Sequence, residues 1–173
     1  MTISWYAIRI SYGRVAKFSA QLMQDGVDHF VPMCSKKVEN GGETVTVVVP
    51  AVSNLCFVRS TRSFIDEYLM RMGENRYAHF MWDKATRNPI VVPDKSMEDF
   101  IRVCQVMDDD ALYLETMSDK LREGQRVRVT DGPFKGVEGK ILRIRRSRRV
   151  VVELPGLLSV ATNYVDPRYL EIL

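Results

Sequence analysis

The stretch from Val127 to Ile141, Val-Arg-Val-Thr-Asp-Gly-Pro-Phe-Lys-Gly-Val-Glu-Gly-Lys-Ile, limits what this chain can fold into more than any other. Val127 and Val129 alternate with Arg126, Arg128 and Thr130, the period of two of a strand with one buried face. Gly132-Pro133 then forces a turn. Gly136 and Gly139 allow positive φ or close backbone approach where a small barrel must bend sharply. The pattern points to a small β-barrel that binds nucleic acid or protein, and away from an enzyme.

At 173 residues the chain has room for one domain or two small ones. A hydrophobic content of 46% suffices for globular cores. No apolar run reaches the length of about 18 residues that a membrane-spanning helix needs. The opening Met-Thr-Ile-Ser-Trp does not read as a secretory signal, so a cytoplasmic protein is expected. Cys34, Cys56 and Cys104 are odd in number, lack CxxC spacing and stand in apolar or strand-like contexts, which predicts reduced packing residues. Residues 1–119 hold 13 Lys/Arg against 16 Asp/Glu, a net −3, whereas residues 120–173 hold 12 against 6, a net +6. The two parts should meet different partners or different faces of one partner.

Trp5 to Ile10 predicts a strand, and Val15, Phe18, Leu22 and Met23 the apolar face of a helix from Gly13 to Gln24 that Gly26 ends. His29 to Met33 predicts another strand. Asn40-Gly41-Gly42, between Lys36–Val38 and Glu43–Val49, predicts a hairpin turn, with Val45–Val49 partly exposed. Leu55 to Ser60 should be a central strand. A helix from about Ser63 to Met72 follows, with Phe64, Ile65, Tyr68, Leu69 and Met72 inward and Gly73 as its stop. Ala78 to Trp82 reads as a strand. Met97, Phe100, Ile101 and Cys104 fall at i, i+3, i+4 and i+7 of a third helix, capped by Asp94 or Ser96. Strands interleaved with helices give an α+β class, an antiparallel sheet with helices packed on it. Periodicity fades over 108–119, so residues 1–107 read as one domain, 108–120 as an acidic linker and 121–173 as a second domain with five short strands.

No catalytic constellation stands out: there is no phosphate-cradling glycine loop, no GxSxG and no HExxH. His29 and His79 lack a local carboxylate or thiol partner and read as structural. Neither a metal nor a cofactor is expected, and Asp108-Asp109-Asp110 reads as linker rather than a metal site. The strongest charge cluster is Arg143-Ile144-Arg145-Arg146-Ser147-Arg148-Arg149, five arginines in seven residues at a predicted hairpin. Guanidinium forks suit phosphate oxygens, which makes Arg145, Arg146, Arg148 and Arg149, with Lys135, a candidate surface for nucleic acid or an acidic protein. Aromatic residues are absent from the cluster, so base stacking is not expected there.

The segment from Arg126 to Glu153 resembles a KOW motif, the β-hairpin core of SH3-like barrels, with Gly136 at the motif's central glycine. Trp5-Tyr6-Ala7-Ile8-Arg9-Ile10, Gly13 and His29-Phe30-Val31-Pro32-Met33 resemble the opening of the NusG N-terminal domain, and Val52-Ser53-Asn54-Leu55-Cys56-Phe57-Val58 a later strand of it. Asn54, Pro89-Ile90-Val91-Val92-Pro93-Asp94 and Gly156-Leu157-Leu158-Ser159-Val160-Ala161-Thr162 look most similar to the UpxY-type antiterminators of capsular polysaccharide operons. This resemblance implies a NusG-like α/β sandwich joined by a linker to a KOW SH3-like barrel, and no enzymatic activity. It implies an apolar surface at Trp5, Leu55 and Phe57 that grips the clamp helices of RNA polymerase, with Leu55 where relatives commonly have tyrosine. It further implies that Arg14, Lys17 and Arg62 touch non-template DNA, and that the protein's nucleic-acid partner is non-template DNA or nascent RNA. The KOW domain would meet a ribosomal or regulatory protein, although Pro155 stands where relatives carry an aromatic. Some specialised relatives fold this last domain as a helical hairpin, whereas Val150-Val151-Val152 favours strands here. A general NusG-like elongation factor and a ribosome- or RNA-binding KOW protein remain the other readings.

Overall fold

Strand β1 (Ile3–Ile10) organises the first part of the molecule. In this computed structural model, residues 1–114 and 124–173 are described. They divide into two units, Met1–Asp94 and Lys95–Leu173. In the first unit β1 pairs along one edge with β5 (Leu55–Thr61), and β5 pairs in turn with β2 (His29–Phe30). Along its other edge β1 meets β6 (Ala78–Phe80) and β7 (Val91–Val92) in succession. Every pairing is antiparallel.

Alternation sorts β1 into two faces. Tyr6, Ile8 and Ile10 pack with Cys56 and Val58 of β5 against Val15, Phe18 and Leu22 of helix α1 (Val15–Gln24) and Ile65 and Leu69 of helix α2 (Arg62–Met70). Burial of each large apolar side chain there contributes about 1.5–3 kcal/mol. Helix α2 begins one residue earlier than the sequence predicts, because Thr61 caps it: its Oγ1 accepts a hydrogen bond from Phe64 N at 3.3 Å. Phe64, predicted inward, is instead 40% exposed and stacks on Tyr68 with ring centroids 6.0 Å apart. Gly26 and Gly73 follow the two helices at φ +66° and +61°, as stop signals should.

Strands β3 (Met33–Asn40) and β4 (Glu43–Pro50) form a separate two-stranded sheet turning at Gly41-Gly42. Val45 and Val48 are exposed along it, in line with the expectation for this run.

The second unit holds most of helix α3 (Asp94–Met107) and a six-stranded antiparallel sheet. Its strands are β8 (Leu112–Leu114), β9 (Gln125–Val129), β10 (Glu138–Ile144), β11 (Ser147–Leu154), β12 (Leu158–Tyr164) and β13 (Leu170–Ile172). Their order is β13-β9-β10-β11-β12-β8. The segment read as linker is thus structured up to Leu114, where Leu112-Tyr113-Leu114 pairs with β12; the remainder of that reading, residues 115–120, lies outside the described residues. The sheet is open, with β13 and β8 as its edges, where the sequence predicts a closed barrel. Val127 and Val129 are buried as alternation requires, and the stretch 147–154 is a strand. Gly136 has φ +90°, and a Cβ on Gly139 would lie 2.4 Å from Val151 O, so both glycines meet a backbone requirement.

Helix α3 holds the β9–β10 turn through three polar side chains. Asp99, 5% exposed, accepts from Lys95 Nζ at 2.6 and 2.8 Å and from Glu138 N at 3.1 Å. Lys95 also donates to Gly136 O at 2.8 Å. Arg102 donates to Pro133 O through Nε and Nη2 at 3.2 and 3.0 Å. A buried carboxylate saturated by a cation and an amide explains how α3 keeps a charge inside. No helix among the described residues is long and apolar enough to cross a membrane.

Candidate functional site

The β1–β5 register places Trp5 opposite Arg59, Ala7 opposite Phe57 and Arg9 opposite Leu55, so these six share the face turned away from α1 and α2. Trp5, Ala7, Leu55 and Phe57 form a buried apolar strip, with Phe57 0% exposed. Arg9 and Arg59 are exposed at its two ends. The structure therefore brings the three predicted apolar residues together and adds two cations that the sequence reading passed over. Alternation from Ala7 to Arg9 and from Phe57 to Arg59 was the available signal.

The three basic residues predicted to touch nucleic acid are not brought together. Arg14 precedes α1, next to the Ile10 end of β1, while Arg62 opens α2, next to Thr61, which pairs with Ile3 at the other end. Roughly 20 Å of strand separates those ends. Arg14 and Lys17 both stand over the Tyr77 ring, 5.2 and 5.4 Å from its centroid. Tyr77 thus gathers the two cations on one ring, an aromatic that the basic pattern alone did not mark. Arg62 lies 5.8 Å from the Trp82 ring centroid and 3.9 Å from Asp66, in a pair too exposed to weigh much.

In the second unit Arg145 and Arg146 form the turn of the β10–β11 hairpin at φ +49° and +66°. Arg143 lies directly opposite Arg148, and Leu142 opposite Arg149. Lys135 belongs elsewhere: it sits in the turn before β10, at the far end of that strand from the arginines. The neighbouring cations of the sheet are neutralised locally. Arg128 donates to Glu138 at 2.8 Å and to Glu171 at 3.2 Å, and its hydrogen bond holds the Glu138 carboxyl below the usual carboxylate range. Arg168 does the same to Asp166 at 2.8 Å.

The remaining titratable groups act structurally. His29 Nδ1 donates to Val27 O at 2.9 Å when its Nε2 accepts from Ser19 Oγ, also at 2.9 Å, which fastens β2 to α1. Burial pushes the Cys56 thiol up to about 12 and the Cys104 thiol to about 11, so both are protonated at neutral pH and poor nucleophiles. None of the three cysteines is in a disulfide.

Two family models match this chain. The KOW motif matches residues 123–153. A solved structure described as "Domain interaction in Thermotoga maritima NusG" is similar over 99% of this chain and 97% of that one, with 18% identity and a TM-score of 0.49. No curated protein matches. The family described as "Transcription termination factor nusG" matches residues 3–101, more than half of the sequence and all of the first sheet. The chain therefore belongs to the NusG family of transcription factors.

Proposed function

We propose that this protein is a non-enzymatic, cytoplasmic elongation factor that binds RNA polymerase through the β1–β5 face and suppresses pausing or termination. The observation that carries this reading is the pair of exposed cations, Arg9 and Arg59, at the two ends of the strip of Trp5, Ala7, Leu55 and Phe57; the strip is buried in the free protein, so it has to be uncovered before polymerase can meet it. An apolar centre flanked by cations suits a helical surface with acidic margins, such as the polymerase clamp helices. A factor that binds the closed clamp better than the open one shifts the population toward the closed form without covalent chemistry. A first domain of 1–107, followed by 108–120 and 121–173, is supported by a family match that runs into α3, with Leu112–Leu114 of the middle segment belonging to the second sheet through its pairing with β12. The second sheet would be an SH3-like fold that meets another partner. The resemblance of Asn54 and of the segments 89–94 and 156–162 to UpxY-type factors supports antitermination at surface-polysaccharide operons. Arg14 and Lys17, posed over the Tyr77 ring, would touch the displaced DNA strand.

The test uses the full chain, immobilised, with bacterial RNA polymerase in solution. Arg9→Glu/Arg59→Glu alters only exposed positions, so its melting temperature should match the parent. Polymerase affinity should fall about tenfold or more, since rim and buried charges govern docking. Unchanged affinity would remove this face from the interface.

A further inference from the structure

We infer that the projecting end of the β10–β11 hairpin is a binding element for duplex DNA, entering the major groove and engaging its phosphates. Four observations converge on it, and none depends on the polymerase reading.

The first is a departure from turn chemistry. A two-residue hairpin turn with positive φ at both centres is the type that selects Asn-Gly, since these tolerate the left-handed region. Arg145 and Arg146 occupy it at φ +49° and +66°. A bulky residue held in that region is strained, and such strain collects at functional sites. The second is self-repulsion. Arg143 faces Arg148 across the ribbon, and like charges directly opposite destabilise a strand pair.

The third observation is contrast with the rest of the sheet. Arg126, Arg128, Lys140 and Arg168 each lie within 4.0 Å of a carboxylate oxygen: Glu138, Glu138 with Glu171, Glu153 and Asp166 respectively. Among the described residues, no such ion pair involves Arg143, Arg145, Arg146, Arg148 or Arg149. The fourth is a buried donor. Arg149 Nη1 donates to Thr162 O at 2.9 Å, yet its Nε is buried with no acceptor among the described residues. Arg149 lines a cavity with Arg145, Asn163 and Asp110, where an incoming oxygen could meet two guanidinium groups and an amide. An orphaned buried N–H is rare enough to call for a partner.

Geometry selects the kind of anion. Arg143 and Arg148 share one face and Arg145 and Arg146 make the tip, in the part of β10 and β11 that extends past the residues paired with β9 and β12, whereas Arg149 pairs with Tyr164 of β12 and lines a cavity with Met107 of α3. A short two-stranded projection with cations at its end suits a cleft walled by phosphates better than one strand laid flat. The major groove of B-form DNA, about 12 Å wide, admits a two-stranded ribbon, whereas the A-form major groove is deep and narrow. The tip has no aromatic on which an unpaired base could stack.

The test titrates the full chain into fluorescein-labelled duplex DNA, an RNA stem-loop of matching sequence, single-stranded DNA and polyglutamate, across a series of salt concentrations. Tightest binding to duplex DNA is expected, with a slope of log K against log salt of about −4 for four to five phosphates neutralised. Arg145→Asn/Arg146→Gly should melt at the same temperature or higher, because the new residues suit the turn, while affinity falls at least about tenfold and the slope loses about two. Arg143→Gln/Arg148→Gln, which leaves the turn alone, should lose a similar slope and decides the matter if the first variant is unstable. Asp110→Asn removes a carboxylate, the one among the described residues that line the cavity, and should tighten binding. Preference for the RNA stem-loop, single-stranded DNA or polyglutamate, equal binding by both double variants, or no binding by the parent would each overturn the inference. No polymerase is present, so failure here leaves the polymerase reading intact.

Discussion

At the scale of single residues, the glycines show two physical reasons for one residue type. Gly136 needs its φ of +90° but has open space around a Cβ, whereas Gly139 is confined by Val151 O and by Val150 Cγ1, 2.4 and 2.9 Å from a Cβ. Gly136→Ala should therefore cost about 1 kcal/mol, the penalty for a side chain in the left-handed region. Gly139→Ala should cost more, about 2–3 kcal/mol, because backbone must move to admit it. Urea unfolding of the two variants checks the order, and equal losses would contradict the packing account. Both positions were legible in sequence as points where the backbone needs glycine, but not which requirement each one meets. Asp99 was not legible in the same way: its role depends on Glu138 N, 39 residues away, and periodicity along α3 marks only its apolar stripe.

At the scale of elements, α1 and α2 are joined at their surface by Asp25. Its carboxylate accepts from Tyr68 Oη at 2.6 Å and from Gln21 Nε2 at 3.0 Å, and these bonds, Tyr68 first, hold it below the usual carboxylate range. Tyr68 is pushed up correspondingly, by desolvation first and then by its bond to Asp25. A carboxyl lowered in the folded state adds stability that is present above its unfolded pKa and is lost as pH falls through the folded one. In Tyr68→Phe the Asp25 titration, followed by NMR, should move up toward the ordinary range, with a smaller acid-induced loss of stability. A titration unchanged by the substitution would mean that the two side chains do not meet in solution. The helices themselves were readable because Val15, Phe18 and Leu22, or Ile65 and Leu69, repeat at helical spacing. Strand β8 was not, because three apolar residues within an acidic run carry too short a pattern to separate from a tether.

At the scale of the whole molecule, charge counted by segment is less informative than charge by neighbourhood. Unit 1 holds 11 Lys/Arg against 9 Asp/Glu and unit 2 holds 14 against 13, so neither is strongly basic. The asymmetry between residues 1–119 and 120–173 depends on the acidic stretch from 94 to 119 falling in the first. What persists is local: among the described residues, the arginines of one hairpin form no ion pair, in a sheet whose other cations include several that are paired. The two-part organisation and the apolar strip could be read from motifs and alternation. The separation of Arg62 from Arg14 and Lys17 could not, since it follows from the antiparallel register of β1 and β5.

The central claim is that this protein acts on a transcribing polymerase, and single-round transcription through a strong pause site tests it most directly. Pause half-life would be measured with and without a saturating amount of the full chain, and again with Arg9→Glu/Arg59→Glu. The account predicts a shorter half-life with the parent protein and little change with the variant. A half-life unaffected by the parent, or prolonged by it, would contradict the account.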